Sequence, residues 1–308
     1  MKKYDVVVLT DSRYVNPLKT NTYISNVLRE DELVINALKE KNLSVVKKDW
    51  NDSIFDWETT RSILFRSTWD YFDKFELFKK WFSKTKKKCL MINSTETIEW
   101  NIDKHYLLDL QEHQIPIPNS EFIKRGSSID LLLLMQKKNW NEIVVKPTIS
   151  GAAKNTYRLK EEEIIQFGPT WEKLIYKEDF IVQEFQNNVI TEGEVAMIVI
   201  GGKFTHAVLK KAKEGDFRVQ DDFGGSIAKY NPSEEMVKLA EKCTRILTPI
   251  PSYARVDIIW DNLRELAVSE LELIEPELWF RLNPNAAQKL AHHVDLILSE
   301  KKWLSNHI

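Results

Sequence analysis

This sequence predicts an α/β protein built of more than one lobe. The first hundred residues alternate strand-like and helix-like segments, which implies βαβ units around a mostly parallel sheet. Pro116 and Pro118 close a long helical stretch and mark a boundary. Beyond them strands dominate, and a hairpin near residues 254–274 carries carboxylates at alternating positions. With 308 residues, 43% hydrophobic and 29% charged, the chain has material for about two domains, or one large one, around an ordinary core.

The elements follow in order. "YDVVVLT" is a strand: its apolar run is short and meets Asp11 at once, unlike the core of a signal peptide. "VLREDELVINALKEKN" has helical periodicity, and "LSVVKKDW" and "RSILFRS" are strands. "FDKFELFKKWF" is a helix whose cationic end, "KTKKKC", reads as solvated, and "CLMIN" is a short strand. "STETIEWNIDKHYLLDLQEHQ" is helical up to the prolines. "NSEFI" to "FIVQEF" reads as strands around one helix, "SIDLLLLMQKKN". Then come strands "GEVAMIVIGG" and "KFTHAVLKK", a helix at "PSEEMVKLAEKC", the hairpin, and a last helix after "NPNAAQ". Three lobes are expected, over residues 1–100, 101–185 and 186–308, with no internal repeat.

Composition excludes several classes. The formal net charge is −2 and no region is broadly basic, so a nucleic-acid partner has no support. No apolar run approaches the ~18 residues of a membrane span, and a soluble, cytoplasmic protein is expected. Cys89 and Cys243 sit among apolar neighbours and read as buried, reduced thiols. The adjacent His292 and His293 diverge around a helix, and G-x-S-x-G is missing, so a side-chain nucleophile is unsupported.

The chemistry concentrates in three places. In "EIVVKPTISGAAKNTYR" a strand ends at Lys146 and Pro147, and Ser150, Gly151, Ala152 and Ala153 form a loop of small residues. Such a loop lets backbone N–H groups approach a phosphate, although the lysine precedes the glycine instead of following it as in a Walker motif. Lys104, read in the first turn of "IDKHYLLDLQEH", opposes the helix dipole unless an anion offsets it. Alone it is a solvent-facing lysine; beside Lys146 it suggests two cations converging on one anion. "FIVQEFQ" offers backbone groups at Gln183, Glu184 and Phe185 for a base edge, with Glu192 or Glu194 for ribose hydroxyls, though such carboxylates beside Gly193 are also ordinary turn residues.

The hairpin "ARVDIIW…AVSELELIEP" is the most informative. Pairing Trp260 with Ala267 sets Asp257 opposite Glu270, with Glu272 and Arg255 on the same face. Like charges at that distance repel unless a cation intervenes, and hard oxygen ligands suit Mg²⁺ or Mn²⁺. Either strand alone would be an amphipathic strand with glutamates in water, and a slip of one residue breaks the pattern. In "RSTWDY", Arg66 ends a strand where ligands collect. Arg66 offers a fork for a carboxylate, Asp70 a partner for an amine, and Trp69 and Tyr71 walls; alternatively Arg66 and Asp70 form a structural ion pair.

Taken in order over roughly residues 95–285, these motifs resemble the ATP-grasp superfamily. Lys104, Lys146, "TISGAAKNTYR", "VQEF" and Asp257/Glu270/Glu272 stand where that family has two phosphate lysines, a flap, an adenine hinge and a metal cluster. Within it the chain is similar to glutathione-synthetase-like and D-alanine-ligase-like enzymes, and most to the O-ureidoserine cyclo-ligase branch of cycloserine biosynthesis. It departs from the glutathione-synthetase pattern in having Glu272 where asparagine is usual. The resemblance implies an ATP-grasp fold with an N-terminal parallel-sheet lobe, a central lobe and a C-terminal antiparallel-sheet lobe. It further implies an ADP-forming, ATP- and Mg²⁺-dependent C–N ligase for a small amino-acid-like substrate, intramolecular cyclisation included. Catalytic charge neutralisation would come from Lys146, Arg255 and Arg218. Phosphotransfer to a non-carboxylate acceptor and a regulatory nucleotide-binding role are the alternatives. Oligomeric state stays open, a homodimer among the options.

Overall fold

The structure, a computed structural model, describes residues 2–151, 153–213 and 225–307, with backbone alone beyond residue 300. Arg218 and Ala152 lie outside the described residues. The first lobe runs β1 (Tyr4–Thr10), α1 (Thr22–Glu40), β2 (Val45–Asp49), β3 (Thr60–Ser67), α2 (Phe75–Thr85) and β4 (Leu90–Ile92). Its four strands form a parallel sheet in the order β2-β1-β3-β4, as alternating segments require. The near-continuous apolar runs of β1 and β3 are buried on both faces: Val8 and Leu64 against α1, and Val7 and Phe65 against an aromatic cluster around Trp50 and Phe78.

The stretch read as one helix after β4 is two, α3 (Thr95–Asn101) and α4 (Tyr106–Glu112), and Lys104 sits in the turn between them, not in a first helical turn. There its N–H donates to Thr148 O at 2.8 Å, which ties the turn to the second sheet. Ser94 caps α3 by accepting from Thr97 N–H.

The second sheet is antiparallel, in the order β5-β8-β6-β7, from β5 (Ser120–Ile123), β6 (Glu142–Pro147), β7 (Tyr157–Lys160) and β8 (Phe180–Glu184). Two helices cover it, α5 (Leu131–Lys138) and α6 (Glu161–Ile175), where the sequence suggested one. α6 runs through Gly168 and Pro169, whose ring removes a helical hydrogen bond. Burial of Ile164, Trp171 and Ile175 against the sheet outweighs the lost hydrogen bond.

After the short α7 (Asn188–Thr191), a five-stranded antiparallel sheet in the order β11-β10-β9-β12-β13 is formed by β9 (Glu194–Ile200), β10 (Lys203–Lys211), β11 (Ser226–Tyr230), β12 (Tyr253–Trp260) and β13 (Leu266–Glu272). One face packs on α4 and on α8 (Glu234–Arg245). The other packs on α9 (Pro284–His307), which also meets α1 and so joins the first lobe to this sheet through one core. Cys243 is buried, whereas Cys89 is only partly so; burial raises the two thiols to about 12 and about 11, which keeps both protonated.

Candidate active site

The second and third sheets face one another across a cleft of about 650 Å³, and the segment after β3 closes one end of it. Strand register explains why charges gather there. The hairpin pairs Trp260 with Leu266, one residue away from the expected Ala267, which would have set Asp257 against Ser269. A bulge at Ser269 absorbs the difference, and Asp257 ends opposite Glu270 with Arg255 opposite Glu272. The bulged Ser269 is used: its hydroxyl donates to Glu194 Oε2 at 2.7 Å and to Asp257 O at 3.1 Å.

One carboxylate oxygen each from Asp257, Glu270 and Glu272 lies within 4.8 Å of the others. Cations compensate them from all sides. Arg255 donates to both oxygens of Asp257, the shortest contact 2.8 Å, and also to Glu272. Lys210 Nζ stands 2.5 Å from Glu194 and 3.1 Å from Asp257. Lys104 Nζ stands 3.0 Å from Glu270 and donates to Ser150 O at 2.9 Å. Burial would raise Glu270, but Lys104, Lys146 and Arg255 outweigh it and hold the carboxyl at about 2. Glu272 goes the other way, to about 7, because burial and the neighbouring Glu270 and Asp257 exceed the help from Arg255. Lys146 is lowered by its own burial, with Lys104 adding to the effect. A set of hard oxygens this close fits a divalent cation, and Asp257, Glu270 and Glu272 are the residues that would hold it.

The small-residue loop is latched onto the first lobe. Ser150 Oγ donates to Pro147 O at 3.1 Å, and Lys154 Nζ pairs with Asp73 at 2.7 Å. A Cβ on Gly151 would lie 2.5 Å from the Phe72 ring, so only glycine permits this approach. Lys104, Lys146, Ser150 and Gly151 therefore share one wall of the cleft.

Gln183, Glu184 and Phe185 also line the cleft, but two of their backbone donors are engaged. Glu184 N–H donates to Asn119 O at 3.0 Å and Phe185 N–H to Glu142 O at 2.9 Å. The expectation of exposed backbone groups is corrected accordingly: sheet pairing persists to the very end of β8. Glu194 is in the cleft beneath Lys210, while Glu192 turns outward to Arg264 at 3.5 Å and does not line it.

The "RSTWDY" segment divides. Trp69 and Tyr71 line the cleft; Arg66 and Asp70 do not. Arg66 is buried, donates to Pro276 O at 3.2 Å and lies over the Phe280 ring. Asp70 accepts from Trp50 Nε1 at 2.6 Å and pairs with Lys74 at 2.5 Å, so the alternative Arg66–Asp70 pair is not formed either. Alternation places Arg66 inward on β3, in the core between lobes.

Lys210 and Glu275 are charged cleft residues that sequence reasoning did not pick out. Lys210 faces Glu194 across β9 and β10 because a bulge between Phe204 and His206 shifts the hairpin that Gly201-Gly202 begins; without it Lys210 would oppose Gly193. Glu275 follows β13, and its carboxyl is hydrogen-bonded to Tyr71; burial, then Glu272, push it to about 8.

Comparison with known proteins agrees with this layout. Residues 6–93 match the N-terminal domain of D-cycloserine synthetase, and residues 103–279 match the RimK-like ATP-grasp domain. The chain is 23% identical over 273 residues to the cycloserine biosynthesis protein DcsG of Streptomyces lavendulae, covering 84% of this chain and 90% of that one. It is 27% identical over 180 residues to the tetrahydromethanopterin:alpha-L-glutamate ligase of Methanosarcina acetivorans, covering 55% of this chain and 53% of that one. The crystal structure of D-cycloserine synthetase DcsG superposes with a TM-score of 0.83 at 21% identity, over 95% of this chain and 99% of that one. The D-alanine–D-alanine ligase of Bacillus anthracis gives 0.68 at 15% identity, over 97% and 99%. No helix among the described residues is long and apolar enough to cross a membrane. With more than half its length matched by that domain, and with the lysine pair and acidic hairpin placed on one cleft, the chain belongs to the RimK-like ATP-grasp family.

Proposed function

We propose that this ATP-grasp ligase activates the carboxylate of a small amino-acid-like substrate with ATP and joins it to a nitrogen nucleophile. The observation that carries the reading is the convergence of Lys104, Lys146 and the Asp257/Glu270/Glu272 set on one cleft wide enough for a nucleotide and a small acid. Attack of the substrate carboxylate on the γ-phosphorus gives an acyl phosphate and ADP; the nitrogen then displaces phosphate. A magnesium ion, when bound, supplies charge neutralisation between the phosphates. Lys146 and Lys104 bear on the phosphates, and Lys104 is free to exchange its contact with Glu270 for one with the nucleotide. Arg255, held by Asp257 and Glu272, keeps a fixed positive charge beside the reacting oxygens without reorganising. The Ser150–Ala153 loop excludes water over the phosphates, and Gln183, Glu184 and Phe185 seat the base. In this reading residues 1–100 form the acceptor lobe, 101–185 the lobe with the lid and 186–308 the lobe with the acidic hairpin.

The test is a screen for ADP release over amino acids and ureido amino acids, with products read by mass. ADP together with a product lighter than its reactants by one water supports the reading. ADP with a phosphorylated non-carboxylate product would support phosphotransfer instead, and ATP binding with no turnover a regulatory role.

A further inference from the structure

The part of the cleft formed by the segments after β1, β3 and β13 has a different chemistry. Trp69 meets Tyr14 edge-on at 5.6 Å between ring centroids and lies tilted against Tyr23 at 6.3 Å. Its indole N–H donates to Glu275 O at 2.8 Å, which fixes the ring beside the residue that follows the metal-type carboxylates. Tyr71, buried, is hydrogen-bonded to the Glu275 carboxyl. All five residues line the same cleft. Among the described residues no cation forms an ion pair with Glu275, whereas Asp257, Glu270 and Glu272 each lie beside one. Arg13, also on the cleft, lies over the Tyr14 ring and is held by Asp11, with Nε 3.0 Å from Oδ1 and a terminal nitrogen 2.6 Å from Oδ2. Lys104 acts on Glu275 without pairing with it.

We infer that Glu275, walled by Tyr14, Tyr23, Trp69 and Tyr71, holds a cationic nitrogen of the acceptor substrate, an ammonium group that is recognised and does not react. This rests on the ligase reading above and names its substrate class: an acid that carries an ammonium group, charged at neutral pH, at a few bonds' distance from the activated carboxylate. The physics is that of a carboxylate and aromatic faces acting together. Ring quadrupoles attract a cation, and a half-buried carboxyl without a counter-ion gains most from one. Burial, then Glu272, raise this carboxyl, and Lys104 and Tyr71 oppose them only in part. Arg66 and Asp70, which the sequence suggested for this task, face the core and Lys74 instead.

The experiment uses the full chain with AMPPNP and magnesium, and tryptophan fluorescence to follow titration with amino acids and their N-acetyl counterparts, which lack the charge. The ammonium form of the best-binding member is expected to bind about tenfold or more tighter than its N-acetyl form, and Glu275→Gln to lose about tenfold or more for the ammonium form alone. AMPPNP affinity should be unchanged in Glu275→Gln. Should that variant fold poorly, Tyr23→Leu at the rim is expected to weaken ammonium binding in the same selective way. Equal binding of the two forms, unchanged ammonium affinity in the variants, or AMPPNP binding with no amino acid bound would each overturn the inference while leaving the ligase reading. Failure of AMPPNP itself to bind would overturn both.

Discussion

The two ends of the cleft are built on opposite plans. At the lysine end three cations have counter-charges close by: Lys210 with Glu194 and Asp257, Arg255 with Asp257 and Glu272, and Lys104, from the turn between α3 and α4, with Glu270. At the aromatic end the residues come from the segments after β1, β3 and β13 and from the start of α1, and one carboxyl, Glu275, has no ion pair among the described residues. The difference teaches what each end is prepared to do. The first is preorganised to neutralise charge whichever substrate arrives; the second takes its missing charge from the substrate.

Substitutions that strike the first end should have the largest effect. Glu270→Gln and Lys146→Ala are expected to lower kcat/KM for ATP by about 10²–10³ each, with most thermal stability retained, since neither opens a core cavity. Steady-state kinetics beside a melting curve separates this from a structural role. If Glu270→Gln unfolds while its folded fraction turns over normally, the acidic hairpin is framework only.

Lys210→Met is of the same order but acts on stability. It leaves Glu194 without its cation and Asp257 with Arg255 alone, and breaking a buried pair of this kind costs about 3–5 kcal/mol. Denaturant titration is expected to show that loss, and magnesium to restore part of it by binding the folded state. A variant as stable as the parent, unresponsive to magnesium, would mean that Lys210 does not organise the carboxylates.

Gly151→Ala probes the latch between the ends. Its methyl group must displace the Phe72 ring, so the lid is expected to sit open and the KM for ATP to rise about tenfold with little loss of stability. Arg66→Ala is the converse control. It should lower stability by about 1–3 kcal/mol, through the lost bond to Pro276 and the cavity left beside Phe280, with Asp31 keeping its pair with Lys47, while nucleotide affinity stays the same.

The smallest effect is one of pH, outside both ends. His206 is held at about 4 by burial, with Lys229 and Lys289 adding to it and hydrogen bonds to the 278–279 carbonyls opposing. A base lowered on folding takes up protons preferentially when unfolded. Its contribution is therefore complete above pH ~6.5 and fades as pH falls toward 4. His206→Gln is expected to flatten the stability profile over that range; an unchanged slope would assign the acid sensitivity to carboxylates.

Legibility in the sequence followed the same division. On strands, side-chain direction alternates, so "ARVDIIW" and "SELELIEP" disclosed that their carboxylates share a face, and β6 disclosed Lys146. The exact pairing was not legible: the bulge at Ser269 corrected an error of one residue, and the bulge near Thr205 hid the meeting of Lys210 with Glu194. Off the strands less could be read. Nothing in "RSTWDY" tells that the sixty-sixth residue points into the core while Trp69 reaches the chain after β13, because that contact spans two hundred residues. Gly168-Pro169 concealed α6 because local propensity speaks against a helix that tertiary burial makes.

The central claim, that this cleft activates a carboxylate with ATP, is tested most directly by following oxygen. The acceptor found in the ADP-release screen is prepared with its carboxylate oxygens isotopically heavy, and the inorganic phosphate released on turnover is analysed by mass. An acyl phosphate transfers one carboxylate oxygen to phosphate when nitrogen displaces it, so heavy phosphate in proportion to product is the result expected. Phosphate carrying no label, with ADP formed at the same rate, would contradict carboxylate activation and point to another use of ATP.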